Sequence, residues 1–194
     1  YNVDITIESF SENKDKEALM DIFKAMNGYN WLNCENWGTD VPISEWEGVT
    51  TYGEFNPYCD EQLKNRVKSL TIEGNSEKPT KGELPSSIGQ LTELVDLYIY
   101  NVDFNESTIP SDLYTLNKLE TIYMPGVNWG GKLSVLIENM TQLKRFALNG
   151  NNLTGYLPAG LFKLKNIEQI DLESNLFYGN LPQNIGECTS LNSL

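Results

Sequence analysis

One apolar pattern recurs at nearly fixed spacing through the last two thirds of the chain, and this period limits the fold more than any other feature. The pattern is clearest from Leu143 to Leu164, LKRFALNGNNLTGYLPAGLFKL. Leu143, Phe146 and Leu148 carry the apolar side; Asn151, Leu153, Gly155, Leu157 and Pro158 follow. Alternation of apolar and polar residues predicts a short, half-buried strand. The Asn, Gly and Pro after it predict a tight return loop. A strand this short cannot bury its apolar side alone, so it needs copies of itself as neighbours.

The copies are present. Phe146 to Ile170 is 24 positions, and Ile170 to Leu194 is again 24. Backward, Ile122 to Phe146 is 24, Leu97 to Ile122 is 25 and Leu70 to Leu97 is 27. A second apolar position recurs as Ile72, Ile99, Met124, Leu148 and Leu172. Asparagine recurs as Asn75, Asn151 and Asn175, and an aliphatic-proline pair as Leu84-Pro85, Ile109-Pro110, Leu157-Pro158 and Leu181-Pro182. A period of this length with this pattern is the signature of a leucine-rich repeat. Residues 66–194 hold five repeats and the start of a sixth, so the C-terminal end reads as truncated or uncapped.

The 194 residues carry 14 Lys+Arg against 27 Asp+Glu, a formal charge of −13. That balance argues against a nucleic-acid partner, which needs a basic stripe, and disfavours anionic membrane surfaces. There is no histidine, which removes His-based catalysis and His metal sites. No apolar run is long enough to span a bilayer, and no signal peptide is visible. No residue pattern calls for a cofactor or a phosphate cradle.

Residues 1–65 read as an N-terminal cap. Val3, Ile5 and Ile7 alternate, as a strand or the end of a linker would. Residues 11–27 predict a helix with Ala18, Leu19, Ile22, Phe23 and Met26 on one face, Ser9 or Ser11 as cap, and Gly28 as a left-handed stop. The face suits covering the open end of a repeat stack. Residues 29–65 are aromatic and irregular; Trp31, Trp37 and Trp46 predict a small packed core, with a carbohydrate platform as the alternative. Residues 47–51 predict an edge strand leading to the first repeat.

Here the likeness becomes specific. Residues 15–20 (DKEALM), 27–31 (NGYNW), Asn36-Trp37, 45–50 (EWEGVT) and 66–70 (RVKSL) resemble the N-terminal cap of plant-type leucine-rich-repeat proteins, and most of all bacterial cell-surface members. The resemblance covers about residues 12–194. It implies an α/β repeat solenoid, a right-handed coil with a parallel concave sheet. It also implies a secreted or surface-exposed protein that binds a protein or glycan rather than a catalyst. There are departures. Thr51 stands where plant caps usually place a second cysteine, extra residues lie around 76–80, and Val102 and Val127 replace the repeat asparagine. The valines predict a locally altered loop. Cys34 and Cys59, in one irregular cap, are expected to form a disulfide, which an exported protein's compartment permits; two free thiols are the alternative.

The repeat asparagines are expected to bond backbone groups that leave the strand ladder. Phe104, Trp129, Leu153 and Phe177 share one apolar repeat position and read as core, as does Cys188. Carboxylates on the concave side (Glu73, Asp96, Glu120, Glu168, Asp171, Glu173) could serve glycoside hydrolysis or Ca²⁺, but exposed strand positions are ordinarily polar and no metal-loop spacing is present. Tyr98, Tyr100 and Tyr123 are the candidate partner-binding patch, beside Asp96, Glu120, Thr121, Lys144 and Arg145. Alternation sends them to one face, where they either meet a partner or only pack on one another. The function that fits is an exported binding module with a preformed concave surface. A glycan-acting enzyme and a structural spacer or adhesin stalk are the alternatives.

Overall fold

Each repeat contributes one short strand to a shared main sheet, and its inward apolar side chain stacks directly on the equivalent side chain of the next repeat. The computed structural model describes residues 7–54, 58–78 and 80–194, with only the backbone of 7–13. Val3 and Ile5, read as strand or linker, lie outside the described residues, as do Phe55 and Pro79. The strands in chain order are β1 Val49–Thr51, β2 Val67–Glu73, β3 Thr80–Lys81, β4 Asp96–Tyr100 and β5 Val102–Asp103. They continue as β6 Thr121–Tyr123, β7 Arg145–Ala147, β8 Thr154–Gly155, β9 Gln169–Asp171 and β10 Leu176–Phe177. The main sheet has the order β1-β2-β4-β6-β7-β9. Its repeat strands are parallel, while β1, the expected edge strand, lies antiparallel on β2. The pairing Leu70–Leu97–Ile122–Phe146–Ile170 follows the sequence period, and all five side chains are buried. A further bridge joins Gln169 to Ser193.

On the opposite side each coil makes a 3-10 turn: Ser86–Gln90, Ser111–Thr115, Val135–Asn139, Ala159–Lys163 and Gln183–Glu187. Pro85, Pro110, Pro158 and Pro182 precede four of them, where the ring pre-sets φ for the turn. The fifth has Ser134, whose hydroxyl accepts from the Leu136 N–H at 3.1 Å instead.

The asparagine ladder forms at two of its three expected rungs. Asn151, buried, donates from Nδ2 to the Leu148 and Met124 carbonyls (2.8 and 3.0 Å) and accepts from the Trp129 N–H at 2.9 Å. Asn175 repeats this one coil later, with Leu172, Leu148 and Leu153. Asn75 instead accepts from the Glu77 and Lys78 N–H groups, a local turn in the longer first repeat. Val102 and Val127 are buried, and the neighbouring Asn101 and Asn128 turn left-handed, with φ 56° and 61°. Phe104 and Trp129 stack inside the coil with ring centroids 4.0 Å apart. Cys188 is buried and its thiol donates to the Phe162 carbonyl at 3.1 Å.

The cap helix, α1, spans Ile7–Ala25. It starts and ends earlier than its sequence suggests: its backbone runs through both candidate cap serines, and Asn27 (φ 51°) makes the left-handed stop expected of Gly28. Gly28 is small for another reason, since a Cβ there would lie 2.0 Å from the Phe23 ring. Ala18, Leu19, Ile22, Phe23 and Met26 are buried and join the repeat core in one cluster. Phe23, Trp31, Trp37 and Trp46 form a chain of ring contacts at 5.0–5.5 Å, the packed core expected of the aromatic segment. The end of α1 seats on the first coil at Gly82, where a Cβ would lie 2.2 Å from the Ala25 carbonyl oxygen.

The expected Cys34–Cys59 disulfide is not formed; both residues are free thiols. The geometry of β2 holds them apart. Asn33, next to Cys34, bonds the Thr71 carbonyl and the Glu73 N–H at one end of the strand. Cys59 lies beside Gly53 and Lys64, past the opposite end, where Tyr52 pairs with Arg66. Five residues of strand separate Arg66 from Thr71, about 16 Å, whereas a disulfide requires Cα atoms within about 7 Å.

Candidate functional site

Successive residues of a strand face opposite sides, so the register that stacks the leucines inward also arranges the outward side chains in rows. Asp96, Thr121, Arg145 and Gln169 form one row, and Thr71, Tyr98, Tyr123, Ala147 and Asp171 the next. Glu73 and Tyr100 stand side by side one step further. The Tyr98 and Tyr123 rings are 6.2 Å apart at 50°. Tyr123 is 43% exposed; Tyr98 and Tyr100 are half-buried. The Tyr100 hydroxyl donates to Glu73 Oε2 at 3.3 Å, and burial followed by the Glu73 charge pushes its pKa up.

Tyr98, Tyr100, Thr121, Tyr123 and Arg145 meet around one concave hollow of about 330 Å³. Three other candidates stand outside it. Lys144 Nζ pairs with Glu120 Oε2 at 2.7 Å, and this hydrogen bond raises the Lys144 pKa. Each satisfies the other at the entrance to the strands. Asp96 keeps its place in the row but does not line the hollow. Conversely, Ala147, Gln169 and Asp171 line it. Asp171 is legible in the sequence only as one concave carboxylate among several. Ala147 gives no chemical signal of its own; what marks it is the missing side chain at the repeat position that holds tyrosine in Tyr98 and Tyr123. Among the described residues, Arg145 and Asp171 have no ion-pair partner, and no cluster of carboxylates and thiols is placed to hold a metal ion. No described helix is long and apolar enough to cross a membrane.

No protein-family model matches the chain. Receptor-like protein 52 of Arabidopsis thaliana is 38% identical over 86 residues, which is 44% of this chain and 11% of that protein. The chain spans about a tenth of the length of the first curated relatives it matches. A plant ice-binding protein superposes with TM-score 0.77 at 25% identity, over 90% of this chain and 52% of that one. The leucine-rich-repeat ectodomain of the receptor kinase SOBIR1 from Arabidopsis thaliana superposes with TM-score 0.71 at 22% identity, over 93% of this chain and 90% of that one. The plant peptide hormone receptor RGFR1, solved in complex with RGF2, gives TM-score 0.56 at 32% identity over 59% of this chain and 18% of its own. These relatives are plant proteins, so the bacterial side of the resemblance rests on the cap residues alone. The chain is a right-handed leucine-rich-repeat solenoid, the fold of the plant ectodomains on which it superposes.

Proposed function

We propose that this chain is the ligand-binding stretch of a surface-exposed protein and that its ligand is a protein or an extended peptide laid across the parallel strands. The observation that carries this reading is the hollow walled by Tyr98, Tyr100 and Tyr123 on the outward face of a rigid sheet. Tyrosine offers large contact area with few rotors and a polar tip, and side chains ordered before the partner arrives lower the entropic cost of binding. The complex of RGFR1 with RGF2 supports a peptide over a glycan as the ligand class. Secretion, bacterial kinship, and the division into a cap at 1–65 and repeats at 66–194 belong to the same proposal. A stalk role would need no such hollow.

Selection of peptides from a random displayed library on the folded chain tests the reading, with a glycan array in parallel. The expected result is an enriched peptide family whose affinity falls when Tyr98→Ala and Tyr123→Ala are combined. No enrichment on peptides with specific glycan binding would overturn it. Unchanged affinity together with a lowered melting temperature would leave the tyrosines a packing role only.

A further inference from the structure

We infer that the gap over Ala147 is a pocket for one phenolic side chain, a tyrosine presented by the partner. This rests on the peptide-binding reading above and names the group that such a peptide inserts.

The row Tyr98–Tyr123–Ala147–Asp171 is an aromatic row with its third member missing. Tyr123 and Asp171 stand two strands apart, about 9.6 Å at the usual strand spacing. Between them the alanine leaves a floor with no wall of its own, so the exposed side of the Tyr123 ring faces open space rather than a neighbour. That separation admits one ring lying against Tyr123, continuing the tilted stacking that Tyr98 and Tyr123 already make at 6.2 Å. The rim is polar: Arg145 lies two residues before Ala147 on the same face, and Gln169 and Asp171 close the far side.

The rim decides which ring. Neither Arg145 nor Asp171 has an ion-pair partner among the described residues, in contrast to Lys144, which is held by Glu120. The guanidinium can lie over the face of an incoming ring as a cation–π contact. The Asp171 carboxylate accepts hydrogen bonds only, so it matches a phenol O–H donor. An aliphatic side chain would leave both charges facing apolar surface, which costs binding. An acidic group would suit Arg145 but meet Asp171, and a basic group the reverse. A neutral aromatic ring with a hydroxyl at its tip satisfies all three walls.

The test is an NMR titration of the folded chain with N-acetyl-tyrosinamide, and with N-acetyl-leucinamide as comparator. Saturable shifts are expected at the amides of Tyr123, Arg145, Ala147 and Asp171 and not in the cap, with the leucine probe weaker by at least about tenfold. Ala147→Leu fills the gap and should abolish the saturable shifts while the rest of the spectrum keeps its dispersion. Arg145→Gln, on the exposed face, should weaken the tyrosine probe several-fold without moving the melting temperature. Equal binding of the two probes, no saturable shift at those amides, or unaltered binding by both variants would overturn the inference. If the displayed library still yields a peptide family dependent on Tyr98 and Tyr123, only the pocket assignment fails. If the phenol binds but no peptide is enriched, the pocket stands and the peptide reading fails.

Discussion

Asp15 and Arg66, one on the cap helix and one at the start of the first repeat strand, are locked in a two-pronged ion pair. Arg66 Nε donates to Asp15 Oδ2 at 2.9 Å and Nη2 to Oδ1 at 3.0 Å, while the Val67 N–H also donates to Oδ2 at 2.9 Å. The carboxylate is fully buried and the guanidinium side chain only 14% exposed. Removing one partner of such a pair strands the other, which costs about 3–5 kcal/mol. Asp15→Asn should therefore lower the urea midpoint strongly. Glu138→Gln, which breaks the exposed pair with Lys163, should cost less than about 1 kcal/mol. Equal effects would mean that the cap is held by apolar packing alone.

Asn151 and Asn75 hold the same repeat position and should respond differently to alanine. Asn151→Ala strands the Met124 carbonyl and the Trp129 N–H inside the coil, while the Leu148 carbonyl keeps its bond from Asn175, and each buried unpaired group costs about 1–3 kcal/mol. Asn75 bonds only exposed backbone, so its replacement should stay within about 0.5 kcal/mol. Denaturant midpoints of the two variants check the difference.

Tyr114 makes the fold sensitive to alkali. Burial pushes its phenol from 10.0 to about 12, a small opposing contribution coming from its bond with the Ser134 N–H. A group whose pKa is raised on folding stabilises fully below its unfolded value and progressively less as pH rises toward the folded one. Stability should thus fall between pH 10 and about 12, by about 3 kcal/mol from this residue when the rise is complete. Tyr114→Phe should flatten that limb of the stability–pH curve relative to the parent.

The three thiols give a direct check on the cap. Denatured without reductant, the chain should take up three alkyl groups by mass, since Cys34, Cys59 and Cys188 are free. Uptake of a single group would restore the Cys34–Cys59 bridge. In the folded chain Cys188 should react slowest, because burial raises its pKa and leaves less thiolate at any given pH.

Side chains with a periodic role were legible before the structure; those whose role depends on what lies opposite were not. Leu70, Leu97, Ile122, Phe146 and Ile170 pair in the register that their spacing implies, because a parallel coil has no freedom to do otherwise. Asn75 carries the right residue at the right position, yet the extra residues after it close a local turn before the ladder can reach it. Lys144 and Glu120 read as an open surface but neutralise each other across neighbouring strand starts. The Ala147 gap is not legible in the sequence because residue chemistry announces what is present, and the gap is made by what two neighbours have and the third lacks. Cys34 and Cys59 are close in the chain but sit toward opposite ends of β2, a separation that only the hairpin's direction reveals.

The seat of α1 on Gly82 has a consequence for modularity. Because the Ala25 carbonyl comes within 2.2 Å of where a side chain would begin, the cap does not stop at its own last residue. Its mould includes one bare backbone position in the coil beyond it. A designer moving this cap to another repeat array must carry the first coil with it, or else carve the same glycine into the new host.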